Sequence, residues 1–178
     1  MTRLFCAVTT MLAVISAEAS AQLDDSLETA GNFAPTFGPI SVTADSLGDG
    51  RVTLTRRPGE GDAGVDWLIR GQSDLPLDAN HDHLTIFPHA SVGGGYYVAS
   101  LLFFKQDGTF IAEKVWIEDT NETTPRSLQS VEQIAAIWGV EGAHQYRLRI
   151  RINPVDKAGA GFVFDRIAAI HVDAAEAN

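Results

Sequence analysis

The sequence predicts an all-β chain, an antiparallel sandwich interrupted by one short helix. Three observations carry that expectation. Runs with strand character recur at short intervals, at 40–44, 51–56, 65–70, 83–87, 96–105, 109–117, 146–152 and 162–170. Turn-forming residues separate most of them, at Gly48-Asp49-Gly50, Pro58-Gly59, Gly93-Gly94-Gly95, Asp107-Gly108 and Lys157-Ala158-Gly159. Short strands at this spacing indicate a sandwich or barrel rather than βαβ units. Finally, residues 145–152 alternate apolar and charged, whereas 161–167 is mostly apolar. The first pattern gives a strand with one buried and one wet face; the second gives a strand buried on both.

Residues 1–21 form a separate unit with the features of a cleavable signal peptide. Arg3 supplies a basic start, the stretch 4–17 is apolar apart from Thr and Ser, and Ala19-Ser20-Ala21 gives the small residues a signal peptidase accepts. The apolar run falls short of the roughly 20 residues a membrane-spanning helix needs. The expectation is therefore a secreted or periplasmic protein that begins at Gln22 and keeps no transmembrane segment after cleavage. Residues 22–36 read as a flexible leader able to add one edge strand. Residues 37–173 form the sandwich domain and 174–178 a tail.

Removing the leader peptide takes one charge of each sign, Arg3 and Glu18, so the net charge of −10 is unchanged. It also takes the only cysteine, Cys6, leaving a domain that relies on its core rather than on disulfides. A chain of this length buries enough surface to do so. The acidic balance opposes nucleic-acid binding, whose affinity comes from neutralising phosphates.

Within the domain, Asp107-Gly108 between two β-rich runs predicts a hairpin. One helix is predicted over 131–138. Ser130 can cap it, with Gln133 three residues on, and Val131, Ile134, Ala135 and Trp138 share a face. Gly139 can end it in the left-handed conformation.

Three segments together resemble the galactose-binding-like jelly roll used by many carbohydrate-binding modules. The first, 90–100, places a glycine turn before the aromatic-rich strand that starts at Tyr96-Tyr97. The second, 104–111, is a hairpin with an Asp-Gly tip. The third joins the "A…Y-R-L" strand of Ala143, Tyr146, Arg147 and Leu148 to an "F-x-F-D-x-I" strand of Phe162, Phe164, Asp165 and Ile167. The resemblance implies that these last two strands pair. It also implies a structural Ca²⁺ near Asp165, although Ala34 stands where an acidic residue is expected after Gly31-Asn32-Phe33. The simpler reading pairs Asp165 with an arginine.

Asp78, Asn80 and Asp82 have the D-x-N-x-D spacing of a calcium loop, since alternate oxygen donors on a tight turn suit a hard cation. His83 replaces the turn glycine of the EF-hand version, and an Asx-rich surface turn is the competing reading. His81, His83 and His89 do not form a zinc ligand pattern.

Arg147, Arg149 and Arg151 project from one face of their strand. They fit either an anion-reading groove, because guanidinium forks match carboxylate or sulfate, or a surface paired with acidic neighbours. Aromatic side chains decide whether a sugar platform exists. Trp116 shares a face with Lys114 and Glu118, and Tyr96 and Tyr97 point to opposite sides of their strand, so Trp116 and Tyr97 join the three arginines as candidate ligand-binding residues.

No catalytic set is evident. Glu118 and Glu122 would stand about 13 Å apart on a strand, against about 5–5.5 Å for a retaining glycosidase pair. The sequence thus points to an exported, non-catalytic module for a glycan or another cell-envelope or matrix component. The alternatives are a structural or protein-interaction domain of the envelope and a small glycan-active hydrolase or lyase, for which Glu113, Glu118 and Asp165 are the candidate acids.

Overall fold

A computed structural model of the chain describes residues 23–25, 30–44, 50–59, 63–68, 74–78, 83–153 and 157–170. In chain order its strands are β1 (Leu23–Asp25), β2 (Phe33–Phe37), β3 (Ile40–Ala44), β4 (Val52–Arg56), β5 (Gly64–Trp67), β6 (Leu75–Pro76), β7 (His83–Val92), β8 (Tyr96–Phe104), β9 (Phe110–Thr120) and β10 (Arg126–Leu128). The helix α1 (Val131–Ile137) follows, then β11 (Gln145–Asn153) and β12 (Gly161–Ile170). The first sheet has the order β10-β7-β12-β4-β3, with β1 beside β12. The second has the order β2-β5-β11-β8-β9, with β6 beside β11. Every pairing is antiparallel. The expected sandwich is the fold.

Strand alternation decides what enters the core. On β11, Tyr146, Leu148, Ile150 and Ile152 point inward and are buried, which leaves the arginines on the outside. From β8 come Tyr97, Ala99, Leu101 and Phe103, and from β12 come Phe162, Phe164, Ile167 and Ala169. The Tyr97 ring meets Phe162 and Phe164 edge-on, with centroids 4.7 Å and 5.2 Å apart. Such edge-to-face pairs add about 0.5–1.5 kcal/mol beyond the area they bury.

Two expectations need correction. β11 and β12 do not pair with each other; they belong to opposite sheets and face one another across the core. Each instead takes a long neighbour within its own sheet, β8 for β11 and β7 for β12. The leader is also part of the sandwich. Leu23–Asp25 pairs with β12, and Phe33–Phe37 pairs with β5, where Phe33 enters the core.

β7 runs on past Pro88, beyond the run expected at 83–87. Proline offers no N–H to a ladder, and the register between β7 and β12 shifts on either side of Pro88's partner Phe164. The bulge absorbs the missing donor, and the strand continues to Val92.

α1 packs Val131 and Ala135 inward. The Ser130 hydroxyl accepts the Gln133 N–H at 3.2 Å, and Gly139 takes φ +67° just beyond the helix. Trp138 is half-buried against Phe103, as a core anchor under a crossover should be.

At the sandwich end, the Gly93–Gly95 turn lies directly on the start of β12. A Cβ on Gly95 would come within 2.3 Å of the Gly161 carbonyl oxygen, and a Cβ on Gly161 within 2.4 Å of the Leu54 carbonyl oxygen. These obstacles are backbone, so no side-chain rotation relieves them. Gly161→Ala should therefore destabilise the domain by about 1–3 kcal/mol in urea melts. A variant within about 0.5 kcal/mol of the parent, as for a surface change, would contradict this packing.

Candidate functional site

The outer face of the second sheet is a grid of aligned rows. One row runs Ala34, Asp66, Arg149, Ser100, Val115 from β2 to β9. Beside it lie Arg147, Leu102 and Glu113, and on the other flank Phe37, Gly64, Arg151 and Val98. Gln145, Phe104 and Phe110 close one end, and Asn153 and Tyr96 the other.

Asp66 organises this face. Its side chain is only 4% exposed although it lies on the outside of a sheet. Arg149 binds it as a fork, Nε donating to Oδ1 at 2.7 Å and Nη2 to Oδ2 at 3.1 Å. Arg147 donates Nη1 to the same Oδ2 at 3.1 Å and Nε to Asp74 Oδ1 at 2.7 Å. Glu113 stands 3.9 Å from Arg149 Nη1. Charge-assisted, bidentate contacts of this kind are the strong ones. Asp66, Asp74 and Glu113 thus share one surface with the three arginines and pair with Arg147 and Arg149. Equal numbers of opposite charges leave this face close to neutral, which does not fit selective capture of anions.

The guanidinium groups also pack on aromatic rings. Arg147 lies 4.8 Å from the Phe104 ring centroid and Arg149 5.3 Å from that of Phe37. Phe37 reaches this position because Gly64 has no side chain; a Cβ there would sit 2.7 Å from the ring. Around the polar centre, Phe110 (54% exposed), Val115 (46%) and Tyr96 (40%) present apolar surface. Phe110 stacks edge-on against Phe104 at 5.8 Å. Among the described residues, the remaining exposed large apolar side chain is Ile137, on α1.

The other expected residues fall elsewhere. Tyr97 is corrected from ligand candidate to core residue: strand parity turns its ring inward, and Tyr96 is the exposed member of the pair. Trp116 is half-buried and packs against the core near a register shift in β9, away from the arginines. Asp165 lies on the first sheet, where Arg51 Nε donates to Oδ1 at 2.8 Å and His89 Nδ1 stands 3.1 Å from Oδ2. Those neighbours match the ion-pair reading, and the Arg51 guanidinium already paired with Asp165 disfavours a metal cation beside it. Asp78 follows β6; Asn80 and Asp82 lie outside the described residues, as do residues 1–22. Among the described residues, no group of three or more His, Cys, Asp or Glu converges on one point. Glu113 and Asp165 belong to opposite sheets and share no cleft.

Sequence reasoning missed Asp66, Phe110, Val115 and Tyr96. Asp66 alternates with the inward Val65 and Trp67, so its outward direction was legible. Its partners, 81 and 83 residues away, were not.

The class that the sheet order defines is an antiparallel β-sandwich of two six-stranded sheets. No protein-family model matches the sequence, and no curated protein is significantly similar to it. Among solved structures, the chain superposes on the Clostridium thermocellum N-terminal endo-1,4-β-D-xylanase 10B, comprising CBM22-1 and GH10 modules and complexed with xylohexaose. The TM-score is 0.51 at 15% identity, over 89% of this chain and 30% of that one. The bacteriophage CBA120 tailspike protein 4 enzymatically active domain gives 0.49 at 13% identity, over 82% and 20%. Caldicellulosiruptor saccharolyticus CBM27-1, in complex with mannohexaose, gives 0.47 at 12%, over 86% and 98%. The chain thus spans less than a third of the first two proteins. At 15% identity, the likeness to the xylanase chain speaks to the fold alone.

Two measurements test this geometry. Asp66→Asn should cost about 3 kcal/mol, the low end for breaking a buried pair because the guanidinium groups keep some water contact. Asp74→Asn, at a more exposed carboxylate, should cost under about 1 kcal/mol; equal costs would contradict the ranking. Burial also pushes the Tyr97 phenol up from 10.0 to about 12. Between those values the unfolded chain loses a proton that the folded chain keeps. Stability present below pH 10 should therefore fall as pH rises through 12, by about 2–3 kcal/mol. Urea melts of Tyr97→Phe should lack that component, and identical alkaline slopes in both proteins would contradict it.

Proposed function

We propose that the chain is an exported, non-catalytic module that binds a neutral glycan across the outer face of its second sheet. The observation that carries this reading is the composition of that face, a charge-neutral network rimmed by exposed apolar side chains. A pyranose offers apolar C–H surface and a ring of hydroxyls. Phe110, Val115 and Tyr96 suit the first; Glu113, Gln145 and Asn153 suit the second, each offering acceptors, donors or both. The ion pairs hold the centre rigid, so little side-chain freedom is lost when a ligand docks.

The fold supports the same reading, since the xylanase chain on which it superposes is complexed with xylohexaose. Export rests on the pattern of residues 1–21. No helix among the described residues is long and apolar enough to cross a membrane. A protein-interaction role has its own observation in Ile137, 75% exposed on α1.

Affinity electrophoresis over neutral and acidic polysaccharides tests the proposal. Retardation by a neutral glycan is expected, with little dependence on salt, and Phe110→Ala should weaken it about tenfold, or about 1.4 kcal/mol. Retardation only by acidic polymers, abolished by salt, would overturn the neutral-ligand reading. No retardation by any glycan at millimolar sensitivity would overturn the module reading itself.

A further inference from the structure

The strands that border the two sheets are not equally guarded. A border strand presents open N–H and C=O groups to any other chain, and proteins blunt that edge with charge, proline, bulges or shortness. β9 carries Glu113, Lys114, Glu118 and Asp119, and its register against β8 shifts. β2 holds Pro35 and a register shift of its own. β10 is only three residues long. β3, the other border of the first sheet, has none of these devices. Its five residues, Ile40–Ala44, carry no charge and no proline, and they pair with β4 without a shift.

The backbone of β3 can be followed group by group. Arg56 of β4 donates its N–H to Ala160 and accepts from Gly159, just before β12, whereas Arg57 donates to Pro39, just before β3. Alternate residues of an antiparallel strand turn their main chain to opposite neighbours. Thr53 and Thr55 therefore face β3, and their partners Thr43 and Ser41 are engaged with β4. Ile40, Val42 and Ala44 direct their N–H and C=O the other way. The Ile40 N–H turns to Gly38, and among the described residues no strand pairs with that side of β3. The open edge thus consists of the N–H groups of Val42 and Ala44 and the carbonyls of all three residues.

We infer that this edge pairs with the same edge of a second copy of the chain, antiparallel about a two-fold axis through Val42. Such an axis needs a central residue whose main chain points outward, and Val42, the middle residue of β3, is one. Val42 exchanges both of its bonds with the partner's Val42, and Ala44 donates to the partner's Ile40 carbonyl, and the reverse. Only this register opposes every residue of β3 and matches outward groups with outward groups. The facing pairs are Val42 with Val42, Ile40 with Ala44 and Ser41 with Thr43, all uncharged. Ile40, Val42 and Ala44 lie on the core side, so apolar side chains meet on one face of the new ladder and hydroxyls on the other.

Charge favours this contact. Two copies of a chain of net charge −10 repel each other, and they approach best where neither presents a charge. The pairing is isologous and closes at two copies. It joins the two first sheets into one, and the arginine-bearing face, which belongs to the second sheet, takes no part. The inference is independent of what that face binds.

The test is sedimentation velocity and NMR amide exchange on the full chain, from about 1 μM to about 1 mM. A monomer–dimer equilibrium is expected, tightened by salt, which screens the repulsion. The Val42 and Ala44 amides should exchange slowly in concentrated samples and faster on dilution. Those of Ser41 and Thr43, bonded to β4, should not respond to dilution. Val42→Pro removes the donor on the axis, an N–H on the open side of a border strand, and should weaken the dimer about tenfold or more. If that variant does not fold, Ser41→Lys combined with Thr43→Lys sets lysine opposite lysine across the axis and should weaken it as much. A dimer that survives these changes overturns the inference, because the copies then meet elsewhere. A monomer at every concentration overturns it too. With both amides fast, the edge is left to a foreign strand; with both slow, the chain covers it itself.

Discussion

A carboxylate buried on the outside of a sheet is the constraint around which the functional surface is organised. Asp66 gives up nearly all its contact with water, a loss that only opposite charge at hydrogen-bond distance offsets. Arg149 and Arg147 supply that charge from the neighbouring strand. Their long side chains then lie across the sheet, shielding apolar residues of β8 that would otherwise face solvent. This is how Val98, Leu102 and Phe104 come to be buried although they point away from the core. The second sheet is in effect covered on both sides, by the first sheet within and by a charged layer without.

That layer changes what the arginines mean. Unpaired guanidinium groups in a row attract anions; paired ones present fixed donors beside fixed acceptors with little net field. A surface of the second kind suits ligands rich in hydroxyls. The exposed apolar side chains at its borders give such ligands a surface for their C–H faces.

Much of this was legible in the chain because its signals are local. The alternation in β11, the Asp107-Gly108 tip and the Ser130 cap each act within a few residues, and each appears in the structure where expected. The remainder depends on partners far away. Nothing near Tyr96 or Tyr97 says which of them meets Phe162, because that choice is set by the register of β8 against β9 and β11 and by the sheet packed opposite. Ala34, Pro35 and Thr36 are small or polar and read as leader, and the pairing of β2 with β5 is a tertiary effect. The run expected from the sequence stops at Phe87; that the strand continues through Pro88 depends on the register shifts in its partner β12. The arginine row was found, but whether it binds or is bound depended on Asp66, whose role is invisible until the strands are side by side.

The most direct test of this account is the exchange of arginine side-chain protons with water, followed by NMR at neutral pH. If Asp66 holds a buried network, the Arg149 Nε–H should give a discrete resonance. It should exchange far more slowly than the same group of the exposed Arg57 and should speed up when Asp66 is replaced. An Arg149 resonance that exchanges as fast as that of Arg57 would mean that the charged layer is open to solvent, and the neutral platform would have no basis.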